Sequence, residues 1–177
     1  FRFVNLQKVF FVLKDILELI KLRLAQMLKA NPARINFYEK YQEIIKEYNS
    51  EQDRASIEKT FEELLKLSNT LNDEQKRYIR EGFDNEEQLS MFDLLFDNEL
   101  SKEDIKKIKQ ISVQLLAKIQ GMLAEMDHPF DKPATKEKLK TEIRLYLWSE
   151  LPDSRFSEEY VDHYRDSIYN YISMRYA

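Results

Sequence analysis

The chain has 177 residues, a formal net charge of −4, two glycines, two histidines and no cysteine. Glycine-rich loops that bind phosphates or cofactors are therefore nearly excluded, and disulfides and thiolate metal sites are excluded altogether. The negative net charge argues against a protein that coats nucleic acid without sequence preference. Without a signal peptide or a run of about 18 apolar residues, we expect a cytoplasmic protein with no membrane span.

Apolar residues recur at alternating spacings of four and three through the first 30 residues, which predicts a long amphipathic helix ended by Asn31-Pro32. The seam of this helix consists of Leu6, Phe10, Leu13, Leu17, Ile20, Leu24 and Met27. A second apolar set, which widens the seam beyond half of the circumference, consists of Phe3, Val9, Val12, Ile16, Leu19 and Leu28. Such a helix needs packing contacts with other elements on more than one of its faces. Because the pattern is already under way at Phe1, we expect the chain to be a segment of a longer polypeptide.

The same helix is basic. Residues 1–30 carry six Lys or Arg against Asp15 and Glu18, so the remaining residues must sum to −8. A basic helix face of this kind is able to contact DNA or a neighbouring domain, although an ordinary solvated face has the same composition. The candidate contact residues are Arg2, Lys8, Lys14, Lys21 and Arg23.

Helix signals continue through the middle of the chain. A second helix is predicted over about 33–49, and a third begins after Asn49-Ser50 and extends to Ser68. Asn72 is interpreted as the N-cap of a fourth helix, with Gln75 completing a capping box and Gly82 as the C-cap.

The second half of the chain contains clearer helix boundaries. A helix is predicted to begin near Asn85, and N-caps are predicted at Ser101 and Ser157. Hydrophobic staples are predicted between Leu100 and Ile105 and between Phe156 and Val161. A loop over 127–133 separates the long helix after Ser101 from a helix over about 134–150, which Pro152 closes. Because no period-two strand appears, the predicted fold is all-α: an irregular bundle of about six to eight helices with no sheet.

Residues Asp73-Glu74-Gln75-Lys76 have the composition of the acidic Walker B box of ATP-driven helicases. That box needs a buried strand before it and a phosphate loop beside it, and the chain has no G-x-x-x-x-G-K-[ST] sequence. We therefore predict that these acids complement the helix dipole in the first turn of the fourth helix.

Two polar groupings have features of metal or catalytic sites. Glu159 and His163 share a helix face, as do Asp162 and Asp166, but one histidine with scattered carboxylates is a weak metal signal. His128 lies in an acidic turn with no recognisable nucleophile or oxyanion donor. The sequence therefore predicts no catalytic, cofactor-binding or metal-ligating residue.

The last helix is rich in tyrosine, a residue that combines a large contact area with a polar tip and suits recognition surfaces. Three of these tyrosines share the apolar stripe with Val161 and Ile168, and two lie elsewhere, so packing in the core is the competing interpretation. The candidate partner-docking residues are Tyr160, Tyr164, Tyr169, Tyr171 and Tyr176.

Several segments, taken in order, resemble the C-terminal region of the restriction (R) subunit of type I restriction-modification enzymes. The segments that carry this resemblance are 34–49 (RINFYEKYQEIIKEYN), 61–66 (FEELLK), 73–83 (DEQKRYIREGF), 87–95 (EQLSMFDLL), 100–103 (LSKE) and 132–152. These are helix-packing patterns rather than catalytic fingerprints, and their shared order is the main support.

The resemblance implies a helical domain that holds an ATP-driven DNA translocase and nuclease subunit against the methyltransferase and specificity subunits. It implies that residues 1–31 end the preceding motor region and that residues 32–177 form the C-terminal helical domain. ATP and Mg²⁺ are then expected for the intact subunit, DNA for the intact complex, and no catalytic residue for this chain. The alternatives from the residues alone are a nucleic-acid-binding helical module using the basic first helix and a free-standing helical enzyme.

Overall fold

The computed structural model describes residues 6–50, 53–153 and 157–177. The elements in these ranges are α1 (Leu6–Ala30), a 3-10 turn (Pro32–Arg34), α2 (Ile35–Ser50), α3 (Arg54–Gln75), α4 (Arg77–Arg80), α5 (Glu86–Leu95), α6 (Lys102–Glu125), α7 (Pro133–Glu150) and α8 (Glu158–Tyr176). No strand occurs among the described residues, so the predicted all-α class is confirmed. None of the described helices is long and apolar enough to cross a membrane.

The chain divides into two compact units, the first ending at Arg77 and the second beginning at Tyr78. In the first unit α1 shares one core with α2 and α3. Its buried residues are Leu13, Leu17, Ile20, Leu24, Met27, Tyr41, Ile44, Tyr48, Ile57, Leu64, Leu67 and Leu71. The seam predicted for α1 is thus confirmed from Leu13 onward, whereas the side chains of residues 1–10 lie outside the described part of the chain. The assignment of residues 1–31 to a motor region stays a prediction.

The predicted helix start at Asn72 is wrong, because α3 continues without a break to Gln75. Asn72 and Gln75 are three residues apart, a spacing that suits a capping box and equally places both on one face of a longer helix. The guanidinium of Arg23 in α1 donates to both, at 2.6 Å from Asn72 Oδ1 and 2.8 Å from Gln75 Oε1. The two amides therefore hold α1 against α3.

Glu74 consequently lies at the C-terminal end of α3, where the helix dipole disfavours a carboxylate. Two guanidinium groups compensate for it. Arg34 Nε and Arg77 Nε each lie 2.9 Å from Glu74 Oε1, and Arg34 also donates to the Glu74 carbonyl oxygen at 3.2 Å. Arg34 is 3% exposed and Glu74 9% exposed, so this ion pair is part of the interior of the first unit.

The second unit packs α5, α6, α7 and α8 around one core. Gly82 adopts a φ of 81° after α4, and the Phe83 N–H donates to the Tyr78 carbonyl at 2.9 Å, which is the left-handed helix end predicted for this glycine. The helix start near Asn85 and the N-caps at Ser101 and Ser157 are confirmed, because each of these side chains accepts from the backbone N–H group three residues ahead. The staple involving Phe156 lies outside the described residues.

Candidate docking surfaces

The five tyrosines of α8 have different environments. Tyr164 and Tyr171 are core residues, with Tyr171 only 1% exposed, because they face the same side as Val161 and Ile168. Burial is also the main reason that the pKa of the Tyr171 phenol is raised above its ordinary value of 10.0. These two side chains are therefore removed from the accessible surface on which docking was expected.

The C-terminal end of α8 is anchored through Glu87 at the start of α5. The Tyr176 hydroxyl donates to Glu87 Oε2 at 2.7 Å and accepts from Gln120 at 2.8 Å, while Arg175 Nε lies 3.0 Å from Glu87 Oε1. Tyr176 therefore has an internal role, as a connection from α8 to α5 and α6.

The remaining two tyrosines, Tyr169 and Tyr160, differ in exposure. Tyr169 is half-buried beneath an ammonium group, with Lys140 Nζ 4.8 Å from the ring centroid. Tyr160 is exposed, and its ring lies 6.1 Å from that of Tyr164 in a stacked arrangement. Of the five predicted docking tyrosines, Tyr160 and Tyr176 are the two that remain exposed, at 41% and 37%.

A second apolar surface in this unit lies on α7 and was not singled out from the sequence. Leu145 is 55% exposed and Trp148 43% exposed. At roughly 100° per residue, both lie well away from the helix face that carries Ile143 and Leu147 into the core. Their position off the core face is the signal in the sequence that could have identified them.

Arg144 connects Trp148 with the first turns of α8. Its guanidinium carbon lies 5.1 Å from the Trp148 ring centroid, and its nitrogens lie 2.9 Å from Asp162 Oδ1 and 3.1 Å from Glu158 Oε1. An arginine held by two carboxylates loses little further freedom when a partner covers it, and the cation above the indole orients that ring. We call this surface, formed by Arg144, Leu145 and Trp148, the Trp148 surface.

The first unit has an exposed apolar stripe on α1, on the face opposite the seam. Its members are Phe11, Val12, Leu19 and Leu22, and each is more than half exposed. The excess apolar width predicted for this helix is therefore accessible along part of α1, although Ile16 and Leu28 from the predicted wide set are partly buried. We call this surface the α1 outer stripe.

The five predicted basic contact residues do not act as one group in the structure. Arg2 lies outside the described residues, as does the side chain of Lys8, and Arg23 binds the two amides of α3. Lys14 and Lys21 are exposed and line a groove between α1 and α2. These two lysines are the described members of the set that face solvent without an internal partner.

The two histidines lie in open settings. The His128 side chain is 66% exposed in the loop before α7, with Nδ1 3.1 Å from Asp131 Oδ2. His163 is exposed as well, and the carboxylates near it, Asp162 and Asp166, accept hydrogen bonds from Arg165. Within the described ranges, no group of three His, Cys, Asp or Glu residues is placed to hold a metal ion.

Residues 73–76 do not fit the acidic box of an ATP–Mg²⁺ site. The acidic quartet 73–76 ends α3 instead of following a buried strand, and Glu74 is occupied by Arg34 and Arg77. The chain also lacks the phosphate-loop sequence that such a site requires. The interpretation of these acids as structural is thus supported, but their predicted position in a first helical turn was wrong.

Comparison with known protein families finds a match over most of the chain. A family model described as type I restriction enzyme HindI endonuclease subunit-like, C-terminal, matches residues 6–164. The chain belongs to this family. No curated protein and no solved structure matches it.

Membership of the type I restriction enzyme C-terminal family confirms the resemblance drawn from the helix-packing segments. The matched residues include most of both units and extend through the first turns of α8, so the α1 outer stripe and the Trp148 surface both belong to the family region. The type I restriction enzyme C-terminal chain is thus a helical domain of a multi-subunit class of enzyme.

Proposed function

We propose that this chain is the docking domain of a type I restriction enzyme R subunit, without a catalytic site of its own. In this role it holds the motor and nuclease domains of the subunit against the methyltransferase–specificity core. ATP and Mg²⁺ would be used by the motor domains, and DNA would be bound by the intact cytoplasmic complex. The observation that supports this role best is that each unit of the domain has an exposed apolar surface.

The Trp148 surface has the composition of an interface anchor. Tryptophan and arginine are among the residues that most often dominate binding energy, especially where neighbouring contacts hold them before the partner arrives. Arg144 is held in this way by Asp162 and Glu158. We therefore assign this surface to the contact with the methyltransferase–specificity core.

The α1 outer stripe has a different character. Its four side chains are aliphatic or aromatic, and covering each one contributes on the order of 1–2 kcal/mol, since each is already partly buried. An exposed apolar stripe of this kind is typical of a surface that another part of the same protein covers permanently. We assign it to the motor region of the subunit.

The test uses the full subunit and its separately purified methyltransferase–specificity core. Replacing Trp148 with alanine should weaken their association at least tenfold, as expected for an interface anchor, and leave the ATPase activity of the free subunit unchanged. Leu65→Ala, at another exposed apolar side chain on α3, is the matched control and should leave assembly intact. Association of normal strength in Trp148→Ala would contradict the assignment of this surface.

A deletion tests the function independently of any one surface. A subunit that lacks the equivalent of residues 33–177 should keep a folded nuclease and an active ATPase but fail to assemble with the core. Retained assembly would refute the docking role altogether.

The alternative function, a nucleic-acid-binding helical module, is supported by the exposed Lys14 and Lys21. It is weakened by Arg23, whose guanidinium is engaged by Asn72 and Gln75. A salt titration of duplex DNA binding distinguishes the two functions, because phosphate contacts make affinity fall steeply with ionic strength. Steep, saturable binding that is lost in Lys14→Glu/Lys21→Glu would favour the alternative.

A further inference from the structure

A groove of about 560 Å³ runs between α1 and α2. Its apolar surface comes from Leu17, Ile45 and the rings of Tyr38 and Tyr41. The Tyr41 hydroxyl donates to the Leu17 carbonyl at 3.0 Å, and the two tyrosine rings lie 6.3 Å apart. These contacts hold the floor of the groove in position.

Three lysines line this floor: Lys14 and Lys21 from α1, and Lys46 from α2. All three are exposed, and none forms an ion pair or a hydrogen bond with another residue that the structure describes. Lys14 and Lys21 are seven residues apart, so they lie on the same side of α1 and are separated by about 10.5 Å along its axis. Glu18 lies between them in the same groove.

This pattern distinguishes two kinds of acidic ligand. A nucleic-acid strand carries a phosphate about every 3.4 Å of duplex axis, so it would place negative charge against Glu18 as well as against the lysines. It would also leave the apolar floor unused. A helix with acidic residues seven positions apart matches Lys14 and Lys21, avoids Glu18 and brings an apolar side chain over the floor between them.

We propose that the α1–α2 groove binds an acidic amphipathic helix of the methyltransferase–specificity core. An apolar side chain of that helix packs on Leu17 and Ile45, and two of its carboxylates, seven residues apart, pair with Lys14 and Lys21. Lys46 pairs with a third acidic residue from the other wall of the groove. This inference rests on the proposed docking function and adds to it a second contact with the core, of defined charge.

The experiment places a photo-crosslinking amino acid at Gln42, which lines the groove and is exposed. The full subunit carrying this residue is assembled with the core, with and without DNA, then irradiated, and the adducts are identified by mass spectrometry. The expected adduct is a segment of the core that has helical periodicity and acidic residues seven positions apart. An adduct with DNA, or no adduct in the assembled complex, would overturn the inference.

Charge reversal provides the second measurement. Lys14→Glu/Lys21→Glu should reduce the adduct yield at least tenfold, because close opposite charges across an interface become like charges. Lys106→Glu/Lys107→Glu is the matched control, since it makes the same charge change at exposed positions of α6. An unchanged yield in the groove variant, with its helix content intact by circular dichroism, would also overturn the inference.

The two levels of the proposal fail differently. If Trp148→Ala prevents assembly while the groove gives no adduct in the assembled unmodified complex, the docking function stands and the groove assignment falls. If the deletion of the domain leaves assembly intact, the docking function itself falls.

Discussion

Replacing Arg34 with methionine should lower the free energy of unfolding by about 3 kcal/mol. The hydrogen bonds that the substitution removes from this buried guanidinium include one to Glu74 Oε1 at 2.9 Å and one to the Glu74 carbonyl oxygen at 3.2 Å. Hydrogen bonds that involve a charged group contribute about 1.5–3 kcal/mol each. Breaking a buried pair from one side costs about 3–5 kcal/mol, and the lower end applies because Arg77 continues to pair with Glu74.

The assay is urea unfolding followed by the helix signal in circular dichroism, with the midpoint compared at constant slope. Lys40→Met is the control, because Lys40 and Glu43 form an exposed pair at 3.3 Å whose loss should cost less than about 0.5 kcal/mol. In a Glu74→Gln background the cost of Arg34→Met should fall by about 1–2 kcal/mol, since the uncharged amide needs no buried partner cation.

Two outcomes would refute this reasoning. A cost below about 1 kcal/mol for Arg34→Met would mean that the buried ion pair is not what stabilises this end of α3. An equal cost of Arg34→Met with and without the Glu74→Gln substitution would mean that Arg34 acts through packing of its aliphatic stem instead of its charge.

Three further predictions concern the second unit, and each is measured by thermal or denaturant unfolding. Gly82→Ala should destabilise the protein by about 1–2 kcal/mol, because the glycine has a φ of 81°. Gly121→Ala, inside α6 with no atom near the added methyl, should stabilise it by up to about 1 kcal/mol. Equal effects of the two substitutions would contradict this argument from backbone conformation. Ser101→Ala should cost about 1 kcal/mol through loss of the cap to Asp104, and no cost would mean that water replaces it. The raised pKa of Tyr171 keeps the phenol protonated in the folded state above pH 10, where the unfolded phenol ionises, so the free energy of unfolding should fall as the pH rises above 10. Tyr171→Phe should make this fall with pH shallower. An unchanged slope in Tyr171→Phe would contradict the assignment of the pH dependence to Tyr171.

The features that were predictable from the sequence are those determined by neighbours within a few residues. Asn85, Ser101 and Ser157 cap their helices through backbone groups only three positions away, so a short window contains the whole interaction. The buried seam of α1 was also predictable, because a long helix with a regular apolar spacing buries its apolar face against neighbouring helices.

The features that were missed depend on partners far along the chain. The Asn72–Gln75 pair looked like a capping box because its actual partner, Arg23, is 49 residues earlier than Asn72. The hydrogen bond from Tyr176 to Glu87 was not predicted, because its acceptor lies 89 residues away along the chain. Local spacing defines which residues share a helix face, but tertiary contacts decide whether that face reaches solvent.

Trp148 is the one tryptophan in the sequence, and its half-exposed indole lies beside Arg144 on the surface assigned to docking. Its intrinsic fluorescence therefore reports on that location without any attached label. Transfer of an indole from water into a packed interface shifts its emission to shorter wavelength, and protection by a partner reduces quenching by dissolved iodide. Titration of a tryptophan-free partner fragment into this domain would thus give an optical signal that comes from the contact itself.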